Sequence, residues 1–344
     1  MPYIDKMKKT ICIVSDSWAP QLSGVVNTLT QTISCLEEKG FAVSVIEPSQ
    51  CKSFDASFIS PRLRFAIPPY HMNRLEEYDA VHIATEGPLG WAAKNYCDKR
   101  KKEYSTAYHT NFPLYLKKNW RIPMSWSYGY VRKFHAKSAA VMVPTNSIIR
   151  DLEAHGFKNC VLWGRGVDQT IFNKGFGGQS SWVDYCMELK YPRPFFLNVG
   201  RLSKEKNLDA FLSLDLPGTK FIVGEGPDED RLKRKFPEAV YLGKRTGSSL
   251  AAIYRLADVF VFPSHFDTFG LVNIESIACG TPVAAFPAPG PIDIIEQGVT
   301  GVCDPDLKTA CLATLKIGEC SGEFSWETAT DQFVANLQFK KRPS

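Results

Sequence analysis

The chain alternates short apolar runs with stretches in which apolar residues recur at helical spacing. The runs have the length and β-rich composition of buried strands, and polar or glycine-containing turns follow them. We read strands or strand ends at residues 11–14, 41–46, 80–84, 106–110, 139–144, 195–199, 221–226, 259–262 and 283–286. Because strands that alternate with helices form parallel sheets, the pattern predicts an α/β protein with Rossmann-like, doubly wound domains.

One glycine- and serine-rich segment interrupts this alternation near the middle of the chain. It runs from Gly175 to Ser181, G-F-G-G-Q-S-S, and the strand–helix pattern restarts after it. Linkers of this composition separate domains. We therefore expect an N-terminal domain over residues 1–174, a linker over 175–190, a C-terminal domain over 191–322 and a terminal helix within 323–344.

Composition narrows the class of protein. With 344 residues, 44% hydrophobic and 22% charged, the chain has the composition of an ordinary globular protein of two domains. Its net charge of +5 is far from a nucleic-acid-binding extreme, although it suits anionic substrates or an anionic membrane surface. Ten cysteines without a C-x-x-C pair favour reduced thiols in the cytoplasm. No run approaches the ~20 apolar residues of a membrane span, so we expect any membrane contact to be peripheral.

The stretch from Ala257 to Pro291 organises the second half of the chain. A buried-strand run is followed by a polar loop, a helix that Gly280 ends, and a second strand run. Two carboxylates, Asp267 and Glu275, flank the turn into this helix. In open α/β sheets, ligands bind outside the carboxyl ends of the strands. Eight helical residues span roughly 12 Å, so the two acids suit the two ends of one extended ligand rather than a single bond.

The start of the same helix offers backbone amides to an anion lying between the two acids. These amides belong to Phe269, Gly270 and Leu271. A sugar joined to a nucleoside through a diphosphate fits this arrangement. The alternative is a capped surface helix with two solvated acids.

Two cations follow the strand run at 195–199. Arg201 and Lys206 stand at a strand end and at the next helix start, where paired cations would neutralise a diphosphate. A solvated charge cluster is the alternative. Glycines at Gly24, Gly224 and Gly226 would let a ligand approach the backbone closely, or they are simply tolerated in turns.

Gly224 and Gly226 lie in a glycine loop that follows a strand run, and Lys244 and Arg245 lie in a second loop of this kind. A nucleobase edge could approach the backbone of these two loops. There is no G-x-G-x-x-G, so dinucleotide binding is not supported. No D-x-D motif follows a strand end either, which gives no reason to expect a metal ion.

Basic and aromatic residues interleave from Tyr115 to Lys137. Such a mixture suits a membrane interface or a lipid-acceptor groove. It equally suits a pair of aromatic helices packed in the domain core with their basic side chains solvated. RNA base stacking is a third possibility, but no RNA-binding module frames these aromatic residues, so we expect no nucleic-acid partner.

Several of these motifs together resemble one enzyme family. The spacing of Asp267 and Glu275 is similar to the carboxylate–seven residues–glutamate motif of retaining GT-B glycosyltransferases of family 4, which usually begin the motif with Glu. The D-T-F-G form resembles a branch labelled α-mannosyltransferases, which includes enzymes that glycosylate lipids. G-R-L-S-K-E-K at 200–206 is similar to the family's G-R-x-x-x-E-K motif. W-G-R-G-V-D at 163–168 is similar to W-S-R-G-V-D, with Gly164 in place of a serine.

The resemblance extends from Ile11 to about Phe339, and it implies a fold and a set of roles. The fold is GT-B, with two Rossmann-like domains facing across a cleft and a C-terminal helix that crosses back to the N-terminal domain. Arg201 and Lys206 would stabilise the leaving diphosphate, and Asp267 and His109 would orient the sugar. The residues implied to bind the donor are Gly24, Gly224, Gly226, Lys244, Arg245, Phe269, Gly270, Leu271 and Glu275.

The resemblance also implies retention of configuration, with the leaving phosphate taking the acceptor proton and protein cations replacing a metal. The prediction is therefore a cofactor-free hexosyltransferase that moves a sugar from GDP-mannose or a UDP-hexose to a lipid-linked or glycan acceptor. We expect it in the cytoplasm, at the inner face of the membrane, in glycolipid or cell-envelope glycan synthesis. The alternatives are a nucleotide-sugar epimerase of the same fold and a catalytically lapsed module that only binds sugar nucleotides.

Overall fold

Two compact units make up the protein. The computed structural model describes residues 8–19, 23–51, 53–55, 64–66, 72–175 and 191–340. Unit 1 comprises Met1–Arg165 together with Trp326–Ser344, and unit 2 comprises Gly166–Ser325. Most of the predicted linker, residues 176–190, lies outside the described residues.

Unit 1 is built on a six-stranded parallel sheet of order β2-β1-β5-β6-β7-β8. Its strands are β1 (Thr10–Val14), β2 (Ala42–Ile46), β5 (Ala80–Ile83), β6 (Ser105–Ala107), β7 (Ala140–Val143) and β8 (Cys160–Leu162), and an antiparallel hairpin joins β3 (Ser53–Asp55) to β4 (Arg64–Ala66). Its first five helices are α1 (Gly24–Glu38), α2 (Pro88–Arg100), α3 (Phe112–Trp120), α4 (Met124–His135) and α5 (Asn146–Ala154). The chain leaves β1 on one side for β2 and on the other for β5, so the switch point lies between β1 and β5.

Helices cover both faces of this sheet, which explains the continuous apolar runs in the sequence. In β1, Ile11 and Ile13 face one buried cluster, while Cys12 and Val14 face another. All four side chains are inaccessible to solvent. The predicted parallel α/β architecture is thus confirmed for this half of the chain.

Unit 2 repeats the plan with a parallel sheet of order β11-β10-β9-β12-β13-β14. Its strands are β9 (Phe195–Val199), β10 (Thr219–Val223), β11 (Val240–Tyr241), β12 (Val259–Phe262), β13 (Val283–Ala285) and β14 (Gly301–Cys303). Its helices are α6 (Leu208–Leu212), α7 (Glu229–Lys235), α8 (Gly247–Leu256), α9 (Leu271–Ala278), α10 (Pro291–Ile294) and α11 (Leu307–Thr314). Here the switch point lies between β9 and β12, because the chain passes from β9 outward to β10 and later returns to β12.

The last helix, α12 (Trp326–Ala335), belongs to unit 1. Its Phe333 is fully buried and packs against Trp163, with ring centroids 4.9 Å apart. Gly164 donates its amide to Gln332 Oε1 at 2.8 Å, and Lys39 pairs with Asp331 at 2.7 Å. The helix lies within the predicted range of 323–344, and it completes the core of a unit whose other residues precede position 166.

The contact pattern divides the chain between Arg165 and Gly166, upstream of the predicted boundary at Gly175. Val167 donates its amide to Phe324 O at 3.0 Å, and Val167 and Phe172 are buried in the main core cluster of unit 2. These residues therefore belong to unit 2. The glycine-rich composition marks only the segment after them, because the preceding residues carry side chains that the second core needs.

No helix within the described ranges is both long and apolar enough to cross a membrane.

Candidate functional site

The carboxyl edge of the unit 2 sheet brings two predicted residues into direct contact. Lys206 lies in the loop after β9 and Asp267 in the loop after β12, and these two strands are neighbours at the switch point. Lys206 Nζ donates to Asp267 Oδ1 at 2.6 Å. Asn207 Nδ2 donates to Pro263 O at 3.1 Å, which ties the same two loops together. The sequence assigned these charges to different parts of a ligand, whereas the structure pairs them with each other.

The second carboxylate oxygen of Asp267 is not used by this ion pair. Oδ2 is buried and has no hydrogen-bond partner among the residues that the structure describes. Leaving a buried acceptor unsatisfied costs about 1–3 kcal/mol. Asp267 therefore offers a ready acceptor for a hydroxyl donor at the carboxyl edge of the sheet.

Arg201 supplies a second cation on this edge. It follows β9 by two residues and its side chain is exposed. Within the described ranges no ion pair or side-chain hydrogen bond occupies its guanidinium group. A free guanidinium beside the Lys206 loop suits an incoming phosphate, since its planar fork matches phosphate geometry.

Glu275 lies on α9, the helix that follows the Asp267 loop. Its Oε2 accepts a hydrogen bond from the hydroxyl of the buried Tyr254, on α8, at 3.1 Å. Burial raises the pKa of Glu275 to about 7, and the Tyr254 hydrogen bond opposes this shift. Glu275 is therefore an acid whose charge changes near neutral pH.

The N-terminus of α9 is formed by Gly270, whose φ of 87° lies in the left-handed region. A Cβ at this position would come 2.6 Å from Asn273 Nδ2 and 3.0 Å from a Phe262 ring carbon, so glycine is required. No side chain caps the helix here. The flanking residues Phe269 and Leu271 pack their side chains against the core, which leaves their backbone to define the loop.

Gly224 and Gly226 are glycines for a reason that involves no ligand. A Cβ on Gly224 would lie 1.8 Å from Gly200 O, and one on Gly226 would lie 2.2 Å from Leu202 O. The amide of Gly224 also donates to Gly243 O at 2.9 Å. These glycines thus hold the loops after β9, β10 and β11 side by side.

The two basic residues that follow Gly243 differ in exposure. Lys244 is exposed, while Arg245 is half-buried and its Nη1 donates to Lys244 O at 3.5 Å. Both lie at the outer end of the carboxyl edge, in the loop after the edge strand β11.

In unit 1, His109 follows β6 by two residues and is half-buried. Its Nδ1 lies 3.3 Å from Arg165 Nη2, and its ring meets the Trp163 ring edge-on at 5.5 Å. Burial holds the pKa of His109 well below its usual range, and the positive charge of Arg165 acts in the same direction. The imidazole is therefore neutral. The rings and guanidinium of Trp163 and Arg165 cover the imidazole, and Phe333 of α12 packs on Trp163 in turn.

Arg165 is a residue that the sequence reasoning passed over. It is only 7% exposed, and burial lowers its pKa to about 9. Its Nη1 donates to the carbonyls of Trp163 and Gly164, and its guanidinium lies over the Trp163 ring at 4.3 Å. The only available signal was its place within W-G-R-G-V-D, because one arginine after a short strand carries no periodicity.

The switch point of unit 1 is filled by the protein's own carboxylate. Asp16 follows β1, and its side chain accepts hydrogen bonds from the amides of Leu89 and Gly90 at 2.8 and 3.1 Å, in the first turn of α2. Gly24, by contrast, is exposed at the start of α1, where Ser23 provides the cap. Residues 20–22, just before this cap, lie outside the described residues.

The aromatic–basic stretch at 115–137 divides between the two alternatives. Tyr128 and Phe134 are buried in the core, whereas Trp126 is 77% exposed and Tyr130 is 46% exposed. Arg132 and Lys133 are exposed in the last turn of α4. The side chains of Tyr115 and Trp120 lie outside the described residues.

Among the residues that the structure describes, no three His, Cys, Asp or Glu side chains come together where they could hold a metal ion. The absence of a metal from the reaction remains a prediction.

Comparison with known families identifies both halves of the chain. Residues 22–170 match the model "Glycosyltransferase Family 4", and residues 188–310 match "Glycosyl transferases group 1". Together these matches account for most of the chain.

Two relatives and one solved structure extend nearly over its whole length. The chain is 29% identical over 319 residues to a GDP-mannose-dependent alpha-mannosyltransferase of Mycobacterium tuberculosis, covering 86% of this chain and 83% of that protein. It is 27% identical over 382 residues to sulfoquinovosyl transferase SQD2 of Arabidopsis thaliana, covering 98% and 74%. Sucrose-phosphate synthase of Thermosynechococcus elongatus shares the fold, with a TM-score of 0.73 at 18% identity over 95% of this chain and 98% of that one.

The two parallel sheets, the two family matches in succession and the full-length structural similarity agree. The chain belongs to the glycosyltransferases of the GT-B fold that combine a family 4 domain with a group 1 domain, and it is a hexosyltransferase that acts on nucleotide sugars.

Proposed function

We propose that the protein transfers a hexosyl group, with retention of configuration, from GDP-mannose or a UDP-hexose to a hydroxyl of a lipid-linked acceptor. The observation that carries this proposal is the Lys206–Asp267 pair at the switch point of unit 2. It places a cation and a carboxylate side by side where open α/β sheets bind their ligands.

The cations of this edge act on the leaving diphosphate. Negative charge develops on that group as the glycosidic bond breaks, and fixed positive charges stabilise it most in the transition state. Arg201 is free to turn toward the diphosphate, and Lys206 reaches it while keeping its contact with Asp267. The uncapped N-terminus of α9 adds amide donors and a partial positive charge.

The carboxylates act on the sugar and the nucleoside. Asp267 Oδ2 accepts a sugar hydroxyl, which satisfies an oxygen that is otherwise buried without a partner among the described residues. Glu275 accepts hydroxyls from another part of the donor when it is ionised. His109, in unit 1, contacts the transferred sugar, as its place in the family pattern implies.

GDP-mannose is the first donor to test, because several relatives that match about 85% of this chain carry the name GDP-mannose-dependent alpha-mannosyltransferase. The lipid-linked acceptor is supported by the exposed part of the aromatic–basic stretch. Trp126 and Tyr130 next to Arg132 and Lys133 combine interfacial aromatic rings with charges that favour anionic lipid. On this proposal the enzyme works in the cytoplasm at the inner face of the membrane.

The test has two parts. A melting-temperature screen across GDP-mannose, UDP-glucose and UDP-glucuronate identifies the donor, because a ligand that binds only the folded state raises the melting temperature. Turnover is then measured with lipid-linked and soluble acceptors, and the anomeric configuration of the product is read by NMR. We expect transfer to a lipid-linked acceptor with the configuration of the donor retained.

Four outcomes would contradict the proposal. A product with inverted configuration would contradict the proposed retention. Transfer to soluble sugars alone would contradict the proposed lipid-linked acceptor. Interconversion of the donor without an acceptor favours the epimerase, whereas donor binding without transfer or hydrolysis favours the lapsed binding module. The Lys206→Ala variant should lose most turnover, while Lys204→Ala, an exposed lysine two residues away, should keep it.

A further inference from the structure

Arg165 is a buried cation that contacts His109. Only 7% of the residue is exposed, and within the described ranges no carboxylate pairs with it. Its neighbours are the carbonyls of Trp163 and Gly164, the face of the Trp163 ring and the imidazole of His109. Burying a charge without a counter-ion costs free energy, so the guanidinium depends on the carbonyl, ring and imidazole contacts that it makes.

The direction of the hydrogen bond between Arg165 and His109 is fixed by chemistry. A guanidinium group has only N–H donors, so His109 Nδ1 must accept at the observed 3.3 Å from Nη2. A neutral imidazole carries one proton, on one of its two nitrogens. If Nδ1 accepts, the proton is on Nε2.

The surroundings of His109 disfavour the other two protonation states. A proton on Nδ1 would point at the N–H groups of Arg165, and this holds for the Nδ1 tautomer and for the imidazolium alike. The other titratable group that acts on the ring is His82 on β5, which is buried and keeps its Nδ1 2.9 Å from Ser105 Oγ. Burial lowers the pKa of His82 to about 3, so His82 is neutral as well.

We propose that Arg165 is a positioning residue that locks His109 in the tautomer with its proton on Nε2. His109 then presents an N–H, not a lone pair, on the side of the ring away from Arg165, and acts toward the sugar as a hydrogen-bond donor and not as a base. The tautomer follows from the contacts in unit 1 alone. The role toward the sugar rests on the proposed function.

Only a guanidinium meets all of these contacts at once. Nη1 is held by two carbonyls while Nη2 reaches the imidazole, which is a fixed fork of donors. The donors of a lysine ammonium all lie on a single nitrogen, so they cannot reach the two carbonyls and the imidazole from two separate positions. Arg165→Lys should therefore restore the tautomer only partly, and Arg165→Met not at all.

The direct test is the tautomer of His109 in the intact protein. With ¹⁵N-labelled histidine, two-bond ¹H–¹⁵N correlations distinguish a protonated from an unprotonated ring nitrogen, and His109→Gln assigns its signals among those of the six histidines. We expect Nε2 protonated and Nδ1 unprotonated in the wild type. A wild-type His109 that carries its proton on Nδ1 would overturn the proposal, whatever the variants do.

The variants separate this inference from the proposed function. Arg165→Met should mix the tautomers of His109 and move its titration to higher pH, and kcat should fall at least about tenfold because the wrong tautomer cannot donate. Arg150→Met removes an exposed arginine of the same unit and should change neither.

An unchanged tautomer in a folded Arg165→Met protein contradicts the positioning role. A changed tautomer with unchanged kcat would leave Arg165 as the positioning residue and contradict the role of His109 toward the sugar. If Arg165→Met does not fold, the wild-type spectrum and that of Arg165→Lys decide the question.

Discussion

Lys206 Nζ lies 2.6 Å from Asp267 Oδ1, so the cation expected at the diphosphate and the carboxylate expected at the sugar already hold one another. The pair bridges the loops after two neighbouring strands, β9 and β12. A donor that binds here does not need to bring the two groups together. It has only to engage the unused oxygen of Asp267 and the remaining donors of the lysine.

Replacing Lys206 with alanine should therefore affect turnover far more than stability. Both partners are about one quarter exposed, at 27% and 25%, so the pair contributes little to folding, about 1 kcal/mol or less. Loss of its charge from the transition state should lower kcat at least about a hundredfold. Steady-state kinetics and melting curves of Lys206→Ala and the Lys204→Ala control measure both effects. A large loss of stability with unchanged kcat would assign the pair a structural role.

Donor affinity should depend on the ionisation of Glu275. The pKa of this group is raised to about 7 by burial, so below pH 7 each unit should reduce the ionised fraction about tenfold. If the ionised form accepts donor hydroxyls, the dissociation constant of the donor should fall as pH rises through 7 and level off above it. Calorimetric titration at several pH values measures this. Glu275→Gln should bind weakly with no such pH dependence.

Stability should have the opposite dependence on pH. The folded-state pKa of Glu275 lies above the ordinary 4.5, so the native state binds its proton more tightly than the unfolded state does. The resulting contribution to the free energy of unfolding is complete below about pH 4.5 and is lost as pH rises toward 7. The free energy of unfolding, measured with urea at several pH values, should fall more steeply with rising pH in the wild type than in Glu275→Gln within this window. Parallel curves would contradict the raised pKa.

Tyr254 should set where this transition occurs. Its hydroxyl donates to Glu275 Oε2 at 3.1 Å and favours the ionised form, against the effect of burial. Tyr254→Phe removes the donor and keeps the ring, so the pKa of Glu275 should rise further. The midpoint of the donor-binding profile should then move to higher pH. A midpoint that moves down, or stays fixed, would show that Tyr254 does not hold the carboxylate.

Membrane binding should depend on Trp126. Its side chain is 77% exposed on α4, the helix that also carries the half-exposed Tyr130 and the exposed Arg132 and Lys133. An aromatic ring in this position can enter the membrane interface, and the basic residues of the helix attract anionic lipid. Trp126→Ala should weaken flotation with anionic vesicles severalfold, and neutral vesicles should bind the wild type poorly. Val299→Ser, which removes an apolar residue of unit 2 that is 50% exposed, serves as the control. Equal flotation of all three proteins would contradict the proposal.

Gly224 should tolerate no side chain. A Cβ would come 1.8 Å from Gly200 O, a backbone atom that cannot move aside without disturbing the loop after β9. Gly224→Ala should therefore destabilise unit 2 by several kcal/mol. Gly129→Ala is the matched control, because a Cβ there meets nothing within 4 Å and alanine favours the helix α4. Similar melting temperatures for the two variants would show that the loop adapts.

The sequence predicts those features of the fold that local patterns determine, and it misses those that depend on contacts between distant residues. Strands β9 and β12 occupy the predicted residues 195–199 and 259–262, because buried parallel strands are continuous apolar runs. The terminal helix, Trp326–Ala335, lies within the predicted 323–344, but its end is not marked in the sequence because apolar residues continue beyond Ala335 without helical structure. The expected boundary at Gly175 overlooked Val167 and Phe172, whose contacts with the second core are far away in the sequence.

The site was predictable only in part for the same reason. The sequence predicts Lys206 and Asp267 as separate site residues. It does not predict their contact, because that contact depends on β9 and β12 being neighbours and local sequence does not determine strand order. For Gly224 and Gly226 the sequence leaves open a close ligand approach or tolerance in a turn. Backbone crowding against Gly200 and Leu202 requires glycine at both positions, and their role in donor binding stays a prediction. Arg165 escaped notice because a buried arginine is recognised by its surroundings and not by its spacing.

The position of α12 has a consequence for the order in which the protein is made. Phe333 of α12 packs on Trp163, and Gln332 accepts a hydrogen bond from the Gly164 amide. The ribosome nevertheless synthesises the whole of unit 2 after Gly164 and before α12. Unit 2 is continuous and can fold as soon as it emerges. In unit 1, the apolar surface around Trp163 stays uncovered until Phe333 has been synthesised. We therefore expect chaperones to bind nascent chains that stall before that point.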